Sequence, residues 1–225
     1  GLVFYELTTQ GASMSLYNAD GGFAEISGNA VRCLAAIVAV DRSGHAELVI
    51  ETAAGSIPLK RITSRGTRPT FTALMGRPTG LRQRTLQVAG HSLEVVQLSV
   101  GNPQCIVLGG AVDEVRLHRL GSALATHEAF PTGTNVELVE VESPSRLRIL
   151  IWERGVGPTA ASGTGACASA VAAAAYGGAS RDVDVVSPGG TQHVVWNDEG
   201  ISLTGWAEIV LRGRWLGTVQ SEEPQ

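Results

Sequence analysis

Apolar and polar positions alternate along most of this chain in short runs broken by glycine, proline and polar turns, the period-two pattern of half-buried strands. GLVFYEL (1–7), ASMSLYN (12–18), AELVIET (46–52), LEVVQLSV (93–100), CIVLGG (105–110) and NVELVEV (135–141) read this way. So do LRILIWE (147–153), VDVVSP (183–188), HVVWN (193–197), ISLTG (201–205) and AEIVLRG (207–213). Three stretches read instead as helices. Asn29–Asp41 and Thr164–Tyr176 are apolar almost all round, so each is expected to be buried on most of its circumference. A third, more polar, lies near Val115–Glu128. Two buried helices among so many strands predict an α/β (α+β) fold in which strands wrap a central helix, twice over.

An internal repeat supports the doubling. Both apolar helices are entered through Ser-Gly, at Ser27 and Ser162. Nine residues before each serine a strand ends on a polar residue, Asn18 or Glu153, and runs into a glycine turn. A hairpin glycine follows each serine by 28 residues, at Gly55 and Gly190. The offsets predict two pseudo-symmetric halves, residues 1–79 and 80–225, with a cleft between them and the last strand returning to pack on the first half. The second half also holds GNPQCIVL, whose Asn102 precedes Ser162 by 60 residues. The matching position in the first half would fall before residue 1, so the first half is expected to lack its first turn and strand.

Composition narrows the function. Hydrophobic residues at 44% and charged residues at 17% fit a packed globular chain of 225 residues, and 28 glycines fit many tight turns. A net charge of −4 without a basic stripe argues against nucleic acid. No apolar run is long enough to span a membrane. Three dispersed cysteines and five dispersed histidines form neither a disulfide framework nor a metal motif, and point to a reducing, cytoplasmic setting.

The chemistry concentrates at the helix entrances. The first amides of a helix lack internal partners, and the helix dipole adds partial positive charge there. Glycine lets a ligand come close, so Gly28 with Asn29 and Gly163 with Thr164 would form two anion-binding tips. Facing each other, they would grip one carboxylate, and Ser27 and Ser162 would flank the carbon that bears it. Taken singly, either serine is explained as an N-cap. The symmetric pair favours a shared site. Cys33, Cys105 and Cys167 are expected in the core, and His118 and His127 on the surface of the third helix.

YNADGGFAEISGNAVRC (17–33) resembles the first signature of the diaminopimelate epimerases, and ERGVGPTAASGTGACASA (153–170) the second. GNPQC and FPTGTNVELVEV resemble two further segments in the same order, so the resemblance spans essentially the whole chain. It implies two strand-wrapped halves closing on a small amino-acid substrate, a diamino-dicarboxylate, with no cofactor or metal; it leaves room for a homodimer. It also implies a two-base mechanism, in which one cysteine removes the α-proton and another delivers a proton to the opposite face. Those cysteines fall on Ser27 and Ser162. Serine is a far weaker acid than a helix-tip thiol, so proton abstraction is expected to be impaired. The same resemblance assigns Asn18, Asn102, Asn135 and Arg154 to the distal end of the substrate and Glu153 to its ammonium. For each asparagine, turn formation is the competing explanation. Gln104 stands where the family usually has histidine. A catalytically silent homologue that still binds an amino acid, or a partner subunit, is the alternative. Dehydration chemistry, which suits an unlike pair of groups, fits the two identical serines poorly.

Overall fold

The computed structural model describes residues 1–18, 21–41, 46–63, 68–88 and 90–214. Strands β1 (Leu2–Leu7), β2 (Gly11–Tyr17) and β3 (Phe23–Ala24) lead into helix α1 (Gly28–Asp41); β4 (Glu47–Thr52), β5 (Gly55–Thr63) and β6 (Thr70–Leu74) follow it. Strands β7 (Thr79–Val88), β8 (His91–Ser99) and β9 (Pro103–Leu108) precede helix α2 (Glu114–Ala125). Then β10 (Asn135–Ser143), β11 (Arg146–Glu153) and β12 (Gly157–Thr159) lead into α3 (Gly163–Tyr176), followed by β13 (Asp182–Ser187), β14 (Gly190–Asn197) and β15 (Gly200–Trp206).

The pairing pattern occurs twice. β2 pairs antiparallel with β1 and β3 and parallel with β4; β11 pairs antiparallel with β10 and β12 and parallel with β13. In each copy the central helix is the crossover between the parallel strands. A hairpin follows, closing Thr52 on Gly55 in one copy and Ser187 on Gly190 in the other. Both glycines have positive φ, 115° and 122°, which is why glycine recurs at this offset. The copies join where β15 pairs antiparallel with β6, and β9, β8 and β7 extend the second copy beyond β10. The 79/80 division drawn from the sequence falls at the first residue of β7.

Helix α3 is buried from Gly163 through Ala173, because its alanine and glycine surface lets strands approach from every side. Helix α1 buries Val31, Leu34, Ala35, Ala36, Val38 and Ala39 in the same core. Helix α2 packs Leu117, Leu120 and Leu124 against the opposite face of the second copy's strands, with Cys105, Val136 and Leu138. It starts on the Asp113 side chain, which accepts the Arg116 amide hydrogen, and stops at Thr126, short of the expected Glu128. His127 therefore lies beyond the helix, half-buried, with a ring nitrogen 3.1 Å from the Gln87 carbonyl.

Three expectations need correction. AEIVLRG (207–213) is not a strand: its neighbour β6 begins at Thr70, the Ala207 amide meets the Pro69 carbonyl, and no ladder continues beyond. Strands β5, β6 and β7, rich in Lys, Arg and Thr on their exposed faces, are present where no apolar run announced them. Cys33 is exposed, not core. It lies one turn beyond Asn29 on the same face of α1, the face turned to the cleft. Cys105 and Cys167 are buried as expected.

Candidate active site

The two helix tips meet. A Cβ placed on Gly163 would lie 3.0 Å from the Gly28 Cα, and one on Gly28 would lie 3.3 Å from the Gly163 Cα. Only glycine at both positions allows that approach. Ser27 caps α1, its Oγ accepting the Ala30 amide hydrogen at 3.3 Å; Ser162 caps α3, its Oγ accepting the Gly165 amide hydrogen at 3.1 Å. Among the described residues the amides of Gly28, Asn29, Gly163 and Thr164 make no hydrogen bond within the protein. Two sets of unused donors thus sit side by side at the positive ends of two helices.

A cleft of about 610 Å³ opens over these tips. Asn18, Ser27, Gly28, Asn29, Asn102, Asn135, Glu153, Arg154, Ser162, Gly163 and Thr164, the residues singled out from the sequence, all line it. Each is delivered by an element end: Asn18 by β2, Asn102 by the β8–β9 turn, Asn135 by the start of β10, Glu153 and Arg154 by the end of β11. Asn135 is fixed at both ends of its amide, donating to the Pro103 carbonyl at 3.1 Å and accepting from the Arg154 amide at 2.9 Å. The Arg154 guanidinium donates to the Thr132 carbonyl at 2.9 Å, and Glu153 accepts from the Thr159 hydroxyl at 2.8 Å. Among the described residues no group of three or more His, Cys, Asp or Glu side chains is arranged to hold a metal ion.

Burial disfavours the thiolate form of all three cysteines. Burial pushes the Cys167 thiol up to about 12, only partly opposed by Arg32. Desolvation raises Cys105 as well, with Glu137 adding to it, and it also raises Cys33, which Arg32 opposes.

Beneath the cleft lie Glu137 and Arg32, to which the sequence assigned no role, and Gln104, noted there only as standing where the family usually has histidine. Glu137 and Gln104 are both 0% exposed, on adjacent strands β10 and β9 under the tip of α3. Desolvation, and secondarily the charge of Glu153, raises the Glu137 carboxyl well above the usual range. The Gln104 nitrogen donates to Asn102 Oδ1 at 2.6 Å, while its oxygen faces the Glu137 carboxyl at 3.1 and 3.2 Å. With the amide turned, its nitrogen donates to the Glu137 carboxyl and its oxygen accepts from the Thr164 hydroxyl at 3.2 Å. The other group is Arg32, 4% exposed, behind the tip of α1. Two glutamates within the apolar run NVELVEV, and a single arginine within an apolar helix, were the available signals.

The fold, with two helix tips converging on one cleft, is shared with solved epimerases and related proteins. A solved hydroxyproline epimerase from Agrobacterium vitis, with bound trans-4-hydroxy-L-proline, matches at TM-score 0.69 and 16% identity over 88% of this chain and 69% of its own. A phenazine biosynthesis protein of Bacillus anthracis matches at TM-score 0.64 and 14% identity over 93% and 84%. At such identities the likeness concerns fold alone. Sequence goes further. The diaminopimelate epimerase of Desulforudis audaxviator is 39% identical over 90% of this chain and 78% of its own length, and that of Magnetococcus marinus is 37% identical over 92% and 77%. The family profile for diaminopimelate epimerase matches residues 96–210. The chain belongs to the diaminopimelate epimerase family.

Proposed function

We propose that this chain is a diaminopimelate epimerase-type isomerase that grips an amino acid by its α-carboxylate between the two helix tips, with the α-carbon between Ser27 and Ser162. The observation that carries the reading is the contact of Gly28 with Gly163, which turns two sets of unbonded amides toward one cleft. Glu153 is suited to the substrate ammonium. Asn18, Asn102, Asn135 and Arg154 are suited to the distal amino-acid end, since arginine's fork fits a carboxylate and an asparagine serves carboxylate and ammonium together.

Inversion requires one group to take the α-proton and another to return a proton on the opposite face. A serine hydroxyl does not ionise near neutral pH, and each Oγ already accepts an amide hydrogen as a helix cap. The cleft therefore binds but exchanges the α-proton poorly. Diaminopimelate in D2O, incubated with the protein and followed by NMR, should lose its α-hydrogen at close to the background rate. Calorimetry should still detect binding. Brisk exchange would overturn the impairment, and absent binding would overturn the substrate class. The intact cradle with serine at both ends also favours a second reading, a silent amino-acid binder of the same fold.

A further inference from the structure

Arg32 has an unusual position for a cation. Its side chain is almost wholly buried between α1 and β15, where a Cβ on Gly205 would lie 3.0 Å from its Nε. None of the ion pairs among the described residues includes it, and its Nε has no hydrogen-bond partner. Its contacts are neutral amides from both halves. Nη2 donates to Asn29 Oδ1 at 2.6 Å, and Asn29 Nδ2 donates across the cleft floor to the Ala161 carbonyl at 3.0 Å. With the Gln192 amide oxygen turned to the guanidinium, Nη1 donates to it at 3.3 Å, and Gln192 Nε2 donates to the Ser162 carbonyl at 3.2 Å. A chain of side-chain contacts thus runs from the tip of α1 through Arg32 to the carbonyls of Ala161 and Ser162, the two residues that lead into α3.

An unpaired buried charge is costly, and burial lowers the Arg32 pKa without neutralising a group of such high basicity. A carboxylate on Asn29 or Gln192 would relieve the cost but would cancel the positive field where the two tips meet. We propose that Arg32 is a positioning residue for the cleft: it ties the two helix tips together through Asn29 and Gln192 and leaves its charge uncompensated, so that the tips present a positive field to a ligand carboxylate and to any acid at position 162. This rests on the reading of the paired tips as the carboxylate cradle. Other charges bear on position 162. Glu25, Glu153 and Arg154 line the cleft, Glu137 lies under Gly165 from β10 with its carboxyl raised by burial, and Cys33 and Cys167 flank Arg32 within α1 and α3.

The test uses a thiol reporter and no substrate. Ser162→Cys places an ionisable group at the tip, and its rate of alkylation by iodoacetamide against pH, resolved from Cys33 by peptide mass spectrometry, gives its titration midpoint. Adding Arg32→Gln should move that midpoint up by about one pH unit, whereas Arg32→Lys, which keeps the charge, should stay near the parent. Arg32→Met, which matches the aliphatic stem and removes a buried charge, is the second neutral variant should the glutamine protein fail to fold. An unchanged midpoint in either folded neutral variant overturns the proposal, as does a lysine variant that titrates with the neutral ones. Failure of diaminopimelate to bind would instead sink the substrate assignment and leave this titration standing.

Discussion

A carboxylic acid that stays protonated inside a protein makes stability depend on pH in a direction opposite to the usual salt-bridged carboxylate. Burial pushes Glu137 that way: it is fully enclosed, and its carboxyl is raised first by desolvation and then by Glu153. Below the ordinary value of 4.5 it is protonated in both folded and unfolded chains, and its contribution is fully present. As pH rises, the unfolded chain ionises first, so stability is lost until the raised folded pKa is reached, at up to about 1.4 kcal/mol per pH unit. Glu137→Gln keeps the shape of the neutral acid and has no proton to lose. Urea unfolding at pH 5, 6 and 7 should therefore show the difference in stability between parent and variant shifting toward the variant as pH rises. Parallel pH profiles for the two proteins would show that Glu137 titrates in the fold as it does in the unfolded chain.

At the scale of elements, the crossing of α1 and α3 depends on two glycines with ordinary φ, so their role is steric and not conformational. An added Cβ on Gly163 would meet the Gly28 Cα at 3.0 Å and Leu203 Cδ2 at 3.1 Å; on Gly28 the nearest contacts are 3.3 and 3.4 Å. Helix propensity alone favours alanine over glycine by up to about 1 kcal/mol. Crowding of this kind costs about 1–3 kcal/mol and should win at Gly163. Gly163→Ala is expected to lower the urea midpoint and weaken carboxylate binding, and Gly28→Ala to do the same less severely. A stabilised Gly163→Ala protein would mean that the tips are not held in contact. The glycine pair was legible in the sequence because the Ser-Gly entry repeats, as were the central helices, which are apolar almost all round. Strands β6 and β7 were not, because β6 is short and the arginines, glutamines and threonines of β7 conceal its alternation. Cys33 was misplaced because an apolar composition does not reveal which strip of a helix opens onto a cleft.

The molecule as a whole is two copies of one strand–helix–strand unit, placed so that equivalent helix tips converge. Convergence explains why every site residue drawn from the repeat and the resemblance lines one cleft, although the residues come from segments as far apart as Asn18 and Thr164. Arg32, Gln104, Glu137 and Gln192 were less legible, since what matters about each is a contact across elements that spacing along the chain does not encode. The same symmetry frames the test of the catalytic assignment. If Ser27 and Ser162 hold the two acid–base positions, Ser27→Cys combined with Ser162→Cys should restore inversion of diaminopimelate, read by α-deuterium incorporation and by conversion of one stereoisomer to the other. Each change adds little volume, so the fold should be undisturbed. At tips of this polarity, with Arg32 behind them, the new thiols should titrate below the ordinary value of about 8.5. Either substitution alone should give little inversion, because one face of the α-carbon would still lack its acid or base, though slow exchange from the served face is expected. A double variant that folds, binds diaminopimelate and shows neither exchange nor inversion would place the loss of activity deeper than the two serines. The silent-binder reading would then account for the cleft.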